Sequence, residues 1–181
     1  MPVSTYRAQG RGGSGIIGAT TKEEDSIIQV ATAMTHDYML FFTNKGRVFQ
    51  TRVFEIPAGS RISKGQAAVN IIGLASDERV TAMIAMADFK KEGYLFMITK
   101  RGTVKKTKIV DYQNVRKSGI IAIRLDDGDE LNWVKHTNGA DDVLIVSSQG
   151  MSIHFKEEDA RPMGRASRGV RGIKLRDGDS V

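Results

Sequence analysis

Apolar residues along this chain fall in short runs separated by polar, glycine-rich stretches, and none keeps an i, i+3, i+4, i+7 spacing through three helical turns. The runs are rich in β-branched and aromatic residues, which suit a pleated, half-buried surface. The pattern predicts strands at Ile27–Thr32, Tyr38–Thr43, Arg47–Arg52, Val69–Leu74, Val80–Met86, Tyr94–Thr99, Thr103–Lys108, Ile120–Leu125, Leu131–His136, Val143–Ser147, Met151–Phe155 and Val170–Leu175. An all-β fold follows.

Three junctions share one form: Thr43-Asn44-Lys45-Gly46, Thr99-Lys100-Arg101-Gly102 and Ser147-Ser148-Gln149-Gly150. Each reads as a hairpin turn in which glycine supplies a positive φ. Each hairpin is followed by a basic loop and then by a second expected hairpin with an acidic turn, at Ser76-Asp77-Glu78, Asp126-Asp127-Gly128-Asp129 and Arg176-Asp177-Gly178-Asp179. Four strands per unit of this length indicate the blades of a propeller-like array. The chain thus reads as one domain over residues 1–181. It has a partial blade at 6–34 and repeats at 38–86, 94–137 and 142–181, the last of them incomplete. In this reading Arg11-Gly12-Gly13 corresponds to Lys64-Gly65 and to Lys117-Ser118-Gly119, and the two incomplete ends suggest a partial array with an edge left to cover.

Composition agrees with a single core of this size: 181 residues, 40% hydrophobic, with 19 Gly and only 3 Pro. The absence of Cys removes disulfides, thiolate nucleophiles and Cys-ligated metal, and points to a reducing cytoplasm. No apolar run is long enough to cross a bilayer, and Met1 to Gln9 lacks the apolar segment of an export signal, so no membrane partner is expected. The net charge of +6 raises a polyanion as partner. Within the repeats the signs separate along the chain, with Lys100, Arg101, Lys105, Lys106, Lys108, Arg116 and Lys117 before the acidic turn at Asp126, and Arg161, Arg165, Arg168 and Arg171 before Asp177. If each repeat sets its basic loop on one rim, the cations form a curved stripe and the acids face elsewhere.

Gly10-Arg11-Gly12-Gly13-Ser14-Gly15 satisfies G-x-G-x-x-G, but no strand precedes it and no βαβ unit surrounds it, so a dinucleotide cofactor is not expected. A glycine-dense loop with Gln9 and Arg11 can instead bring backbone amides and a guanidinium against phosphate oxygens. His36, His136 and His154 stand singly, which offers neither a metal site nor acid–base catalysis, and the paired Asp residues suit turns. Trp133 and Phe155 are expected in the core.

Gln9-Gly10-Arg11-Gly12-Gly13-Ser14-Gly15 resembles the box motif Q-R-R-G-G-K-G of the DNA gyrase A C-terminal domain, within the type IIA topoisomerases, and the repeats resemble its blades. Five of the seven positions match; Gly10 stands where the family has Arg, and Ser14 where it has Lys. The resemblance implies a β-pinwheel, a propeller-like disc whose neighbouring blades exchange strands and around whose basic rim duplex DNA is bent. It implies no catalytic residue of its own and, as partners, duplex DNA, the rest of the gyrase A protein and the gyrase B protein in a bacterial nucleoid. The box would fix DNA at one point while Arg47, Arg52, Lys64, Lys100, Arg101, Lys105, Lys106, Arg116, Lys117, Arg165, Arg168 and Arg171 neutralise successive phosphates. The altered box also resembles the C-terminal domain of the corresponding topoisomerase IV protein, which bends DNA without a full wrap, and a propeller serving as a protein-interaction scaffold is the third reading.

Overall fold

A computed structural model describes residues 1–19, 21 and 26–181, which hold ten strands, five short 3-10 turns and no α-helix. The strands are β1 (Tyr38–Thr43), β2 (Arg47–Arg52), β3 (Val80–Met86), β4 (Tyr94–Thr99), β5 (Thr103–Lys108), β6 (Ile120–Ile121), β7 (Leu131–Thr137), β8 (Asp142–Val146), β9 (Ser152–Lys156) and β10 (Val170–Arg171). The first five have the bounds the hydrophobic pattern predicted.

The three expected hairpins form, β1 with β2, β4 with β5 and β8 with β9, all antiparallel. Gly46, Gly102 and Gly150 close them at φ of 71°, 80° and 82°. The hydroxyl opening each turn has a part as well: Thr43 Oγ1 accepts from Arg47 N–H, Thr99 Oγ1 from Thr103 N–H and Ser147 Oγ from Met151 N–H.

The expected second hairpins do not form. The segments before and after the second acidic turn, β6 and β7, join different sheets, giving the orders β3-β1-β2-β6 and β10-β5-β4-β7. β6 belongs to the second repeat by sequence but pairs with β2 of the first, Arg47 opposite Ile121; β10 of the third repeat pairs with β5 of the second, Val170 opposite Val104. Each joint is closed through a hairpin glycine, whose carbonyl accepts two amides from the incoming chain. Gly46 O receives Ala122 N–H and Ile123 N–H at 2.8 and 3.1 Å; Gly102 O receives Gly172 N–H and Ile173 N–H at 2.8 and 3.2 Å. A Cβ on Gly46 would lie 2.5 Å from Ile123 O, so the glycine is required for this approach as well as for the turn.

Where no neighbouring hairpin is available, the predicted strands are absent. Residues 68–70, which correspond to the β6 and β10 segments, coil into a 3-10 turn, with Ile71 N–H donating to Ala68 O. The expected strand Ile27–Thr32 pairs with no strand; instead the Gln29 side-chain amide takes both Met83 backbone groups, donating to its carbonyl at 2.8 Å and accepting its N–H at 3.0 Å. The third sheet is β8 and β9 alone. Of the expected partial blade at 6–34, residues 20 and 22–25 lie outside the described residues.

Alternation along the strands divides the core into layers. Leu40 and Phe42 face Leu95 and Met97 between the first two sheets, with Tyr112, Ile109 and Leu131. Phe96 turns the other way, onto Val143, Ile145 and Ile173 against the third sheet. Met39, Phe41 and Phe49 cover the outer face of the first sheet with Ile72. Phe155 packs against this core as expected, but Trp133 is 38% exposed. A shift of register at Ile98/Thr99 breaks the alternation of β7, so Leu131 and Val134 turn inward and Trp133 outward.

Candidate nucleic-acid interface

The box is a closed surface loop. Tyr6 Oη donates to Gly18 O at 2.9 Å and the Arg61 guanidinium donates to Ile17 O at 2.9 Å, which together hold its stem. At its tip Gly13 N–H donates to Gly10 O at 3.0 Å, so Arg11 and Gly12 form the corners of a tight turn. Gly12 and Gly15 have φ of 82° and 71°, and a Cβ on Gly13 would come within 2.7 Å of Gln9 Oε1. Gly10 and Ser14 differ from these: Gly10 has open space around its Cα and an ordinary φ, and Ser14 is exposed. Gln9 and Arg11 are exposed, and Arg11 has no carboxylate partner among the described residues.

The same turn recurs in the loops that feed the exchanged strands. Ser167 N–H donates to Gly164 O as Gly13 does to Gly10, and in the second repeat a like turn falls two residues later, with Gly119 N–H donating to Arg116 O. In Gly164-Arg165-Ala166-Ser167-Arg168-Gly169 the final glycine has a φ of 100°, like Gly15, and leads into β10. Arg168 therefore stands where the box has Ser14. Lys64, Arg116 and Lys117 are exposed in the corresponding loops of the first and second repeats, and Arg171 is exposed on β10 itself.

The other cations of the expected stripe, Lys100 apart, have protein partners. Arg47 donates to the buried Glu78 carboxylate at 2.9 Å and to Ser118 O, and lies over the Phe49 ring. Arg52 lies 3.6 Å from the Tyr38 ring centroid and donates to His36 O. Arg165 donates to Ile121 O, and Arg168 pairs with Asp126 across the joint between repeats, both groups largely exposed.

Lys105 and Lys106 are not on a rim at all: they are 0% and 4% exposed. Adjacent residues of a strand point to opposite faces, and both faces of β5 are covered by neighbouring repeats. Lys106 Nζ donates to Glu157 O at 2.8 Å and sits over Tyr94; Lys105 Nζ donates to Ala122 O and Arg165 O. Burial, with the Arg165 guanidinium nearby, pulls the Lys105 ammonium down to about 8. The phenol of Tyr112, buried beside it, is pushed up.

Signs are also less segregated than the order along the chain suggested. The acidic turns dock against the hairpin turns of their own repeats because those turns expose N–H groups that need acceptors. Glu78 accepts from Thr43 Oγ1 at 2.6 Å, Asp129 from Arg101 N–H at 2.9 Å, and Asp179 from Ser148 Oγ at 2.9 Å and Gln149 N–H at 3.1 Å. The Ser147 hydroxyl foremost, then the Ser148 hydroxyl and the Gln149 and Ser180 N–H groups, hold Asp179 below the usual carboxylate range. Lys45 pairs with Asp77 at 2.6 Å and Arg101 donates to Asp127 O at 2.8 Å, so Lys100 and Arg101 share their end of the sheet with acids. Arg79 and Glu130 bridge two repeats at 2.7 Å.

Two exposed cations absent from the expected stripe occupy matching places, Arg124 and Lys174, each just after the exchanged strand and before the acidic turn. Aligning the repeats on their Asp-Gly-Asp turns would have found them. Among the described residues no group of His, Asp and Glu could hold a metal ion, and no helix is long and apolar enough to cross a membrane.

A sequence model of the family described as "DNA gyrase C-terminal domain, beta-propeller" matches residues 1–33, 37–85, 93–138 and 141–181. The DNA gyrase A protein of Staphylococcus aureus strain MRSA252 is 47% identical over 182 residues, covering all of this chain and 20% of that protein, so the chain spans about a fifth of the relatives it matches. A crystal structure of the C-terminal domain of DNA topoisomerase IV aligns with a TM-score of 0.76 at 33% identity over 81% of this chain and 46% of its own. A DNA gyrase A C-terminal domain structure aligns at a TM-score of 0.68 and 23% identity over 99% of this chain and 58% of its own, a likeness of fold.

Proposed function

Because the chain belongs to the DNA gyrase C-terminal domain family of β-propellers, we propose that it binds duplex DNA along its exchange loops without sequence specificity and bends or wraps it there. In the intact enzyme it would be the non-catalytic accessory part of the gyrase A protein, working with the rest of that protein and with the gyrase B protein in the nucleoid. The observation that carries this reading is the recurrence of a tight turn bearing Arg or Lys ahead of the exchanged strands, at 164–167 as in the box at 10–13, and two residues later in its repeat at 116–119. Cations carried by a loop in every repeat suit a polymer of repeated charge, and contacts to phosphate position a duplex without reading its bases.

Arg11, Lys64, Arg116, Lys117 and Arg171 supply the free charge on this path, and Arg165 and Arg168 stand beside it with bonds a phosphate can exchange for. Lys100 and Arg101 are peripheral to it. The loss of Arg and Lys at Gly10 and Ser14 weakens the box clamp and supports bending with an incomplete wrap, as in the topoisomerase IV reading. Ligation of nicked circular DNA with increasing protein tests the proposal. Positive writhe in the closed circles, with affinity falling steeply in salt, is expected of a wrap. Salt-sensitive binding without a linking change means bending only, and binding insensitive to salt would refute a phosphate path and favour a protein-interaction scaffold.

A further inference from the structure

Lys105 is fully buried, yet nothing in the strand architecture demands a cation there. Counted from the hairpin glycines, its counterparts are Phe49 in the first repeat and Ile153 in the third. Phe49 sits under Gly119 and supports the exchange of β6 with an apolar ring; a Cβ on that glycine would lie 2.7 Å from it. Lys105 sits under Gly169 in the same way, its own Cβ 3.3 Å from the corresponding point. It differs in what its far end does. Its Nζ donates to Ala122 O at 2.5 Å and to Arg165 O.

Those two carbonyls belong to different units. Ala122 follows β6, the strand lent by the second repeat to the first sheet; Arg165 is a corner of the cation-bearing turn of the third repeat. One ammonium on β5 therefore ties three pieces of chain around a single joint. Arg165 and Asp111 are the charged groups that act on it, and Tyr112 Oη donates to the same Ala122 carbonyl at 3.5 Å. Burying a lysine has a cost that an apolar residue at this place avoids, so its presence calls for a role that the fold alone does not explain.

We propose that Lys105 is a positioning residue which sets how the turn at 164–167 is presented relative to the second repeat's exchanged segment, and so sets the angle through which bound DNA is bent between these repeats. The proposal rests on the DNA-binding reading above. It separates two quantities that a rim cation would change differently. A cation touching phosphate contributes about 0.9 to the slope of log affinity against log salt, whereas a buried joint contributes nothing to it.

The test uses the 181-residue chain and a duplex carrying donor and acceptor dyes at its ends. Lys105→Met is expected to bind with the wild-type salt slope but to give a different transfer efficiency at saturation, and Lys105→Gln, which keeps an N–H donor, to recover part of the wild-type value. Lys117→Met, in an exposed loop, is expected to show the reverse: a slope lower by about 0.9 and an unchanged saturation value. A lower slope in Lys105→Met would make it a direct phosphate contact, and an unchanged bend with only a lower Tm would make it purely structural; either overturns the proposal. Failure of both Lys105 variants to fold also assigns the residue to stability alone. Absence of duplex binding by the wild-type chain refutes the DNA reading itself, and this proposal with it.

Discussion

The box turn invites a gain of function. Among the described residues nothing lies within 4 Å of where a Cβ on Gly10 would stand, Gly10 has no left-handed φ and Ser14 is exposed, whereas Gly12 and Gly15 are held at positive φ and Gly13 is crowded by Gln9. The Gly10→Arg, Ser14→Lys double variant therefore adds two cations to the tip without disturbing its backbone, and removing a glycine at an unstrained position stabilises slightly, by about 0.5 kcal/mol. If both side chains reach phosphates, the salt slope steepens by about 1.8, since each contact releases counterions worth about 0.9. Between about 50 and 200 mM salt the variant would then lose roughly 12-fold more affinity than the wild type, starting from tighter binding at the low end. Fluorescence-anisotropy titrations of one labelled duplex at several salt concentrations read this directly. In the ligation assay the same variant should trap more writhe per bound molecule. A slope equal to the wild type's would refute the placement of the box turn against DNA. A slope that steepened for one DNA sequence alone would refute the absence of base readout.

Other outcomes follow from the joints and the buried charges. Gly46→Ala meets Ile123 O at 2.5 Å in addition to its positive φ, while Gly150→Ala meets only the φ cost, so thermal or urea unfolding should show a loss of about 3 kcal/mol for the first against about 1 for the second. The folded-state pKa of Lys105 lies near 8 against about 10.5 unfolded, so between these values the unfolded chain binds the extra proton. Stability attributable to Lys105 should accordingly rise with pH across that window, by up to about 3 kcal/mol, and the rise should be absent from Lys105→Met in urea unfolding at about pH 7.5 and 10. Arg47→Ala, which strips the Glu78 carboxylate of its cation, should lower the urea midpoint and leave the salt slope of binding nearly unchanged; Arg116→Ala should do the opposite.

Much of this architecture was legible along the chain. β1 to β5 lie where alternation and hairpin turns placed them, because both signals are local. The destination of β6 and β10 was not legible in hydrophobicity, since a two-residue strand takes its identity from a partner some seventy residues away, Arg47 for Ile121. Resemblance of the box supplied the exchange that periodicity missed. The charge run Thr103–Lys108 misled for a related reason: a string of lysines reads as surface unless its column in the repeat is checked, and the column of Lys105 holds Phe49 and Ile153. The box loop was legible as a tight turn because its glycines mark the positive φ taken by Gly12 and Gly15. The partners that occupy Arg47, Arg52 and Arg101 come from distant loops, which no local pattern reports.

Strand exchange also decides how the molecule bears a load. The loop that ends in the 116–119 turn leaves one sheet through β5 and enters another through β6; the loop with the 164–167 turn does the same from β9 to β10. Whatever pulls on either turn pulls on two sheets at once, through short strands seated against a neighbour's hairpin. The elastic recoil of a bent duplex would thus be shared along the array as tension between units, each blade braced by the next, instead of prying open the one blade it touches.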